Sequence, residues 1–138
     1  MKDLDTMART IWAEARGEGV QGMEAVAAVI MNRVKADLGR DGRPDWWGEG
    51  VEGVCKKPWQ FSCWNMDDPN RDKLLHVSDR DPWFVTAQDV AKRALAGELP
   101  DPTKGANHYL VDRLADSTHW AKGKAPVAKI GRHWFFKL

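Results

Sequence analysis

Only one tyrosine, two cysteines and four phenylalanines occur in 138 residues, and the longest apolar run, Ala25 to Met31, is seven residues. A membrane-spanning helix needs about 20 apolar residues, so no stable membrane insertion is expected. The segment Met1 to Thr10 is polar, with no apolar core and no small-residue cleavage site, so no signal peptide is read there. Cys55 and Cys63 lie eight positions apart, without a second pair or the CxxC spacing of zinc and redox sites. Two buried thiols are the expected state, and a disulfide remains open should the chain work outside the cytosol. The formal net charge is +1, too small for nucleic-acid binding through the surface at large. No internal repeat, linker or low-complexity tract interrupts the chain, and its length fits one domain over residues 1–138.

What the chain has in excess is tryptophan, eight residues against one tyrosine. Some of these rings are expected to line a groove, where an aromatic face suits the apolar face of a sugar ring, and the others to fill the core. Charge is also unevenly placed. From Trp120 to Leu138 there are five cations (Lys122, Lys124, Lys129, Arg132 and Lys137) and no acid, a pattern that suits either an anionic polymer or a solvated face.

Leu4, Met7, Ala8, Ile11, Trp12 and Ala15 recur at helical spacing, which predicts an amphipathic first helix with Asp5 or Thr6 as N-cap and Gly17 as its stop. Met23 to Asp37 is apolar on nearly every face and reads as a buried central helix. Gly39 to Gly53 and Lys56 to Pro69 read as irregular segments. Pro82 to Ala96 reads as a helix with Trp83, Val90, Ala91 and Leu95 on one stripe, ended by Gly97. Beyond Pro100 the prolines and glycines predict loops and short strands. The expected fold is α+β and mainly helical, with a small irregular or β flank.

Glu14 falls at the border of the first helix's apolar stripe, near its C-terminal end. Carbonyl dipoles there disfavour negative charge, and Met7 and Ile11 withhold water. Such a half-buried carboxyl suits a general acid. Judged by spacing alone, a glutamate at a helix end is more often a surface charge.

Four stretches, in order, carry a resemblance. Trp12-Ala-Glu-Ala-Arg-Gly-Glu18 with Gly22 and Ala25-Val-Ala-Ala-Val-Ile-Met-Asn-Arg33, then Trp59-Gln-Phe-Ser-Cys-Trp-Asn65, then Gly105-Ala-Asn-His-Tyr109, and the closing Trp120 to Phe136 resemble the SleB-type cell wall hydrolase family over essentially the whole chain. The chain departs from the family's pattern at Met23, where glutamine is frequent, and at Asn107, where threonine is common. The resemblance implies a lysozyme-like fold and cleavage of the glycosidic bond between N-acetylmuramic acid and N-acetylglucosamine, as a lytic transglycosylase whose catalytic acid falls on Glu14. It implies no metal and no cofactor. Gln60, Phe61, Asn107, His108 and Tyr109 are candidates for the substrate cleft, although Phe61 also reads as core, and Gln60 or Asn107 as partners of loop backbone. Glu18 reads equally as a supporting acid or as a solvated group. The expected partner is the peptidoglycan glycan strand, met by a monomer made without an export signal in a host cytoplasm and acting in the periplasm or wall, as a phage-type endolysin does.

Three rivals stand beside this reading. A hydrolytic muramidase needs a further carboxylate roughly 5 to 9.5 Å from Glu14, and Asp45, Glu49, Asp67 and Asp68 are available. A zinc amidase would draw on His76, His108, His119 and His133, whose separations match no compact ligand motif. A wall-binding module without catalysis would need only the tryptophans and the basic end.

Overall fold

A computed structural model describes residues 2–37, 50–57 and 60–138. The first helix, α1 (Lys2–Ala15), buries Met7, Ile11 and Ala15 at four-residue intervals, with Ala8 and Trp12 beside them. It begins earlier than the expected caps. Asp5 instead pairs with Arg9 one turn on, at 3.0 Å, and Thr6 is buried with its carbonyl accepting the Thr10 hydroxyl at 2.7 Å. Asp3 and Asp5 in the opening turn suit the positive end of the helix dipole. A 3₁₀ turn over Arg16–Glu18 holds Gly17, and α2 (Gly19–Asp37) follows. A Cβ on Gly22 would lie 2.3 Å from the Glu18 Cβ, so the first turn of α2 rests where only glycine fits.

Helix α2 is the buried centre that the sequence predicts, packed by α1, by α3 (Gly50–Lys56) and by the later helix α5 (Pro82–Leu95). The irregular reading of Gly39 to Gly53 is corrected at its end: residues 50–53 are helical because Val51, Val54 and Cys55 share one buried face. Residues 38–49, with Asp45 and Glu49, lie outside the described residues, as does Trp59. After a 3₁₀ turn at Ser62–Trp64 comes α4 (Pro69–His76), which periodicity did not predict because Leu74 alone is buried. Its signal was local: the Asp68 carboxylate accepts from the Asn70 N–H at 2.8 Å, and Pro69 occupies the first turn.

Helix α5 (Pro82–Leu95) starts on the same pattern, with Asp81 accepting from the Trp83 N–H at 2.9 Å. Its inward stripe is Phe84, Ala87, Val90, Ala91 and Ala94. The expected place of Trp83 on that stripe is therefore corrected, since the ring is 44% exposed. Gly97 ends the segment at φ 74°, as expected.

The flank is a three-stranded antiparallel sheet, β1 (His108–Val111), β2 (Ala128–Ile130) and β3 (His133–Phe136), in the order β1-β3-β2. Alternation gives each face its own task. Phe135 packs with Ala25, Val29 and Ala106 against α2, while Phe136 packs with Leu110, Ala115 and Ala121 on the other side. Tyr109 lies opposite Phe135 in the register and shares its face, which aims the phenol at the helical core. Mainly helical α+β is thus the observed class. No helix among the described residues is long and apolar enough to cross a membrane.

Candidate active site

Glu14 occupies the last turn of α1 and is half-buried. The Tyr109 hydroxyl donates to its Oε1 at 2.6 Å. Three rings fix that phenol. Phe135 stacks on it at 5.6 Å, His133 meets it edge-on at 5.2 Å, and Phe61 lies tilted at 6.3 Å. Burial first, and the adjacent Glu14 charge second, hold the Tyr109 phenol well above the ordinary tyrosine range, so it stays a donor.

Two grooves meet at Glu14. One, of about 350 Å³, is lined by Gly17, Glu18, Asp112, Arg113 and Arg132. The other, of about 360 Å³, is lined by Ala13, Arg33, Gln60, Ser62, Asn70 and Tyr109. Glu14, Val111 and His133 belong to both. A carboxyl flanked on two sides by polar, open grooves can act on a bond in the middle of a bound chain rather than at a chain end.

The candidates named from the sequence separate into two groups. Gln60, Tyr109 and Glu18 line the grooves with Glu14. Glu18 is nevertheless committed: it accepts from the Arg132 backbone N–H at 2.8 Å, from Nε at 3.1 Å and from Nη2 at 2.8 Å. The guanidinium first, and the backbone N–H next, hold its carboxyl below the usual range. Gly131 turns at φ 59° directly over this pair, where a Cβ would stand 2.9 Å from Glu18 Oε1. Gln60 is also anchored, its Nε2 donating to the Val54 carbonyl at 2.9 Å.

Phe61, Asn107 and His108 do not line either groove. Phe61 is 1% exposed and serves as core behind Tyr109. Asn107 holds the C-terminus: its Nδ2 donates to the Leu138 carbonyl, and its Oδ1 accepts the Leu138 N–H, both at 2.9 Å. The His108 ring points to the far face of the sheet, 4.9 Å from Trp120, because alternation along β1 sends neighbours to opposite sides. Burial, then Arg33 and Lys124, bring His108 down to about 4, so it is neutral near pH 7.

Arg33 and Asp112 are site residues that the sequence does not single out, while His133 enters there only among the possible zinc ligands and Cys63 only as a buried thiol. Arg33 is 7% exposed, donates from Nε to the Asn107 carbonyl at 2.7 Å, and lies 5.3 Å over the Phe61 ring. Desolvation brings it to about 10, so it keeps a fixed positive charge behind Glu14. The available signal was a cation ending the apolar run of α2, where burial demands a reason. His133 opens β3, and burial lowers its affinity for a proton while Glu18 and Glu14 oppose that shift. Cys63 is a buried free thiol in the neighbourhood of Glu14, pushed well above the ordinary thiol range by burial and then by that carboxylate.

The rival readings find less support. Asp67 is exposed and Asp68 caps α4, and neither lines a groove with Glu14. Among the described residues no three of His, Cys, Asp or Glu group as metal ligands. Of the five described tryptophans none lines the two Glu14 grooves. Trp64 donates to the Thr10 hydroxyl at 2.8 Å, and Trp120 packs edge-on against Phe136.

Comparison with known proteins places relatives beside this geometry. A family model described as Cell Wall Hydrolase matches residues 17–136. The spore cortex-lytic enzyme of Halalkalibacterium halodurans is 31% identical over 135 residues, covering 96% of this chain and 34% of that protein. The spore cortex-lytic enzyme of Bacillus subtilis is 29% identical over 133 residues, covering 96% and 37% respectively. The chain thus spans about a third of the length of these two relatives. Among solved structures, the catalytic domain of the Bacillus cereus SleB protein superposes with a TM-score of 0.71 at 30% identity, over 98% of this chain and 89% of that one. The catalytic domain of the germination-specific lytic transglycosylase SleB from Bacillus anthracis gives 0.70 at 29% identity, over 99% and 95%.

Proposed function

The chain belongs to the cell wall hydrolase family, and on that premise we propose that it is a peptidoglycan glycosidase, a single catalytic domain using Glu14 as general acid and base. The bond cut is the one between N-acetylmuramic acid and N-acetylglucosamine. The observation that carries the reading is the position of Glu14 at the junction of two grooves with Tyr109 at 2.6 Å.

The Tyr109 hydroxyl occupies Oε1 of Glu14, which leaves Oε2 to carry a proton toward a bound sugar linkage. As the glycosidic bond breaks, that proton passes to the leaving oxygen. The carboxylate so formed is steadied by the Tyr109 donor and by the Arg33 charge behind it. The 6-hydroxyl of the muramic residue then attacks its own anomeric carbon and gives its proton to Glu14, which restores the acid. The product is a 1,6-anhydro end, and neither water nor a second carboxylate is consumed. The similarity to the germination-specific lytic transglycosylase SleB from Bacillus anthracis favours this outcome.

A hydrolytic outcome has one observation in its favour, since Asp112 lines the same groove as Glu14 and is open to solvent. It would act as base toward a water on the anomeric carbon.

The test is mass spectrometry of soluble fragments released from purified walls. Wild-type chain is expected to release fragments with anhydro ends, and Glu14→Gln to keep binding walls while losing about a hundredfold or more in rate. Equal clearing by both forms removes Glu14 from the mechanism, and reducing ends in place of anhydro ends select hydrolysis. A monomer released to the wall in the manner of a phage-type endolysin fits this activity.

A further inference from the structure

Away from Glu14 a separate, shallow and open groove, of about 680 Å³, lies between α1, the end of α4 and the start of α5. Trp12 forms part of its floor, and Lys73, His76, Arg80 and Trp83 stand around it. Trp83 is 44% exposed although the neighbouring Phe84 is buried. Its backbone is not loose, because Asp81 caps its N–H and Pro82 precedes it in the first turn. A large aromatic ring held out to solvent on a rigid helix start is a ready platform for an apolar ligand face. Trp12 adds a second observation. It is 6% exposed, and its indole N–H is buried without a hydrogen-bond partner among the described residues.

The two regions are physically joined. Arg16 lies 4.1 Å over the Trp12 ring and donates from Nη2 to Asn70 Oδ1 at 3.2 Å, and Asn70 lines the Glu14 groove. From Asn70, α4 runs to Lys73 and His76 in the shallow groove. At about 1.5 Å per residue, that path along the helix is roughly 9 Å.

We infer that this groove is a distal subsite for the same glycan strand, with a sugar ring on Trp83 and the strand's peptide carboxylates near Lys73 and Arg80. The inference rests on the glycosidase reading of Glu14. Lys73 and Arg80 share this groove with Asp81, whose carboxylate faces the N-terminus of α5 as its cap, and with His76, which pairs with Asp72 at 3.3 Å. A strand long enough to reach both grooves gains a second contact on one molecule, and a short oligosaccharide does not. The site therefore selects for chain length.

The test compares the whole chain with Trp83→Ala and Trp83→Tyr, on long glycan strands and on a tetrasaccharide of two disaccharide units. Trp83→Ala is expected to lower kcat/KM on long strands about three- to tenfold through KM, with kcat and tetrasaccharide cleavage unchanged. Trp83→Tyr should retain most of the wild-type value. No loss on long strands, or equal loss on both substrates, overturns the subsite. A second measurement does not depend on turnover: the Trp83 indole NMR signal is followed in Glu14→Gln as long strands, and separately free stem peptide, are added. A shift with strands is expected; no shift, or a shift with peptide alone, overturns the assignment. Failure of the underlying reading looks different, because Glu14→Gln would then cleave at the wild-type rate while the indole signal still reported binding.

Discussion

The hydroxyl of Tyr109 donates to Oε1 of Glu14 at 2.6 Å across 95 positions of sequence. This contact couples the helical core to the sheet at the point where the two grooves meet. It leaves one carboxyl oxygen open to a ligand and fixes the direction of the other.

Removing that donor should therefore cost rate more than stability. Tyr109→Phe keeps the ring that stacks on Phe135. We expect kcat on purified walls to fall about ten- to a hundredfold, because a hydrogen bond to a charged group contributes about 1.5–3 kcal/mol. The melting temperature should move by no more than a few degrees. An unchanged kcat would show that Glu14 is positioned without Tyr109.

Asp112→Asn separates the two chemical outcomes. If the sugar's own hydroxyl is the nucleophile, the variant keeps its yield of anhydro ends and its rate changes little. A collapse of rate, with reducing ends in the wild-type digest, would assign Asp112 the role of base.

Glu18 ties acid stability to the turn between β2 and β3. Arg132 holds its folded carboxyl below the usual range. A depressed carboxylate contributes stability above its unfolded value, near 4.3, and that contribution is lost as pH falls through the lower folded value. Glu18→Gln should lower the melting temperature at neutral pH and flatten its decline on acidification below about pH 4. Thermal melts followed by circular dichroism at stepped pH check this, and parallel curves for the two proteins would contradict it.

Both thiols should be silent in the native chain. Burial pushes Cys55 up to about 12 and Cys63 further still, the latter also through the Glu14 charge. Because the thiolate is the reactive species, a maleimide at about pH 8 should label neither until denaturant is added, when both react. Mass spectrometry counts the adducts. Labelling of Cys63 in the folded chain would mean that the floor beneath Glu14 opens.

Local pattern was enough for α1, α2 and α5, for the α+β class and for the half-buried place of Glu14. These depend on residues within one or two turns of each other, so helical spacing and the Gly97 stop are written in the chain. The same locality explains the errors. Spacing puts Trp83 on a stripe that in fact begins at Phe84, and α4 gives no periodic signal because it buries only Leu74 and so has no stripe at all. Tertiary packing alone decided that Tyr109 reaches Glu14, that Glu18 is spent on Arg132, that His108 and Asn107 turn away, and that Arg33 and His133 close on the site. Each of these depends on how β1 and β3 pair and how their inner face docks on α2. That docking is set by Phe135 filling space beside Ala25 and Val29, a fit between surfaces that no periodicity along one strand contains.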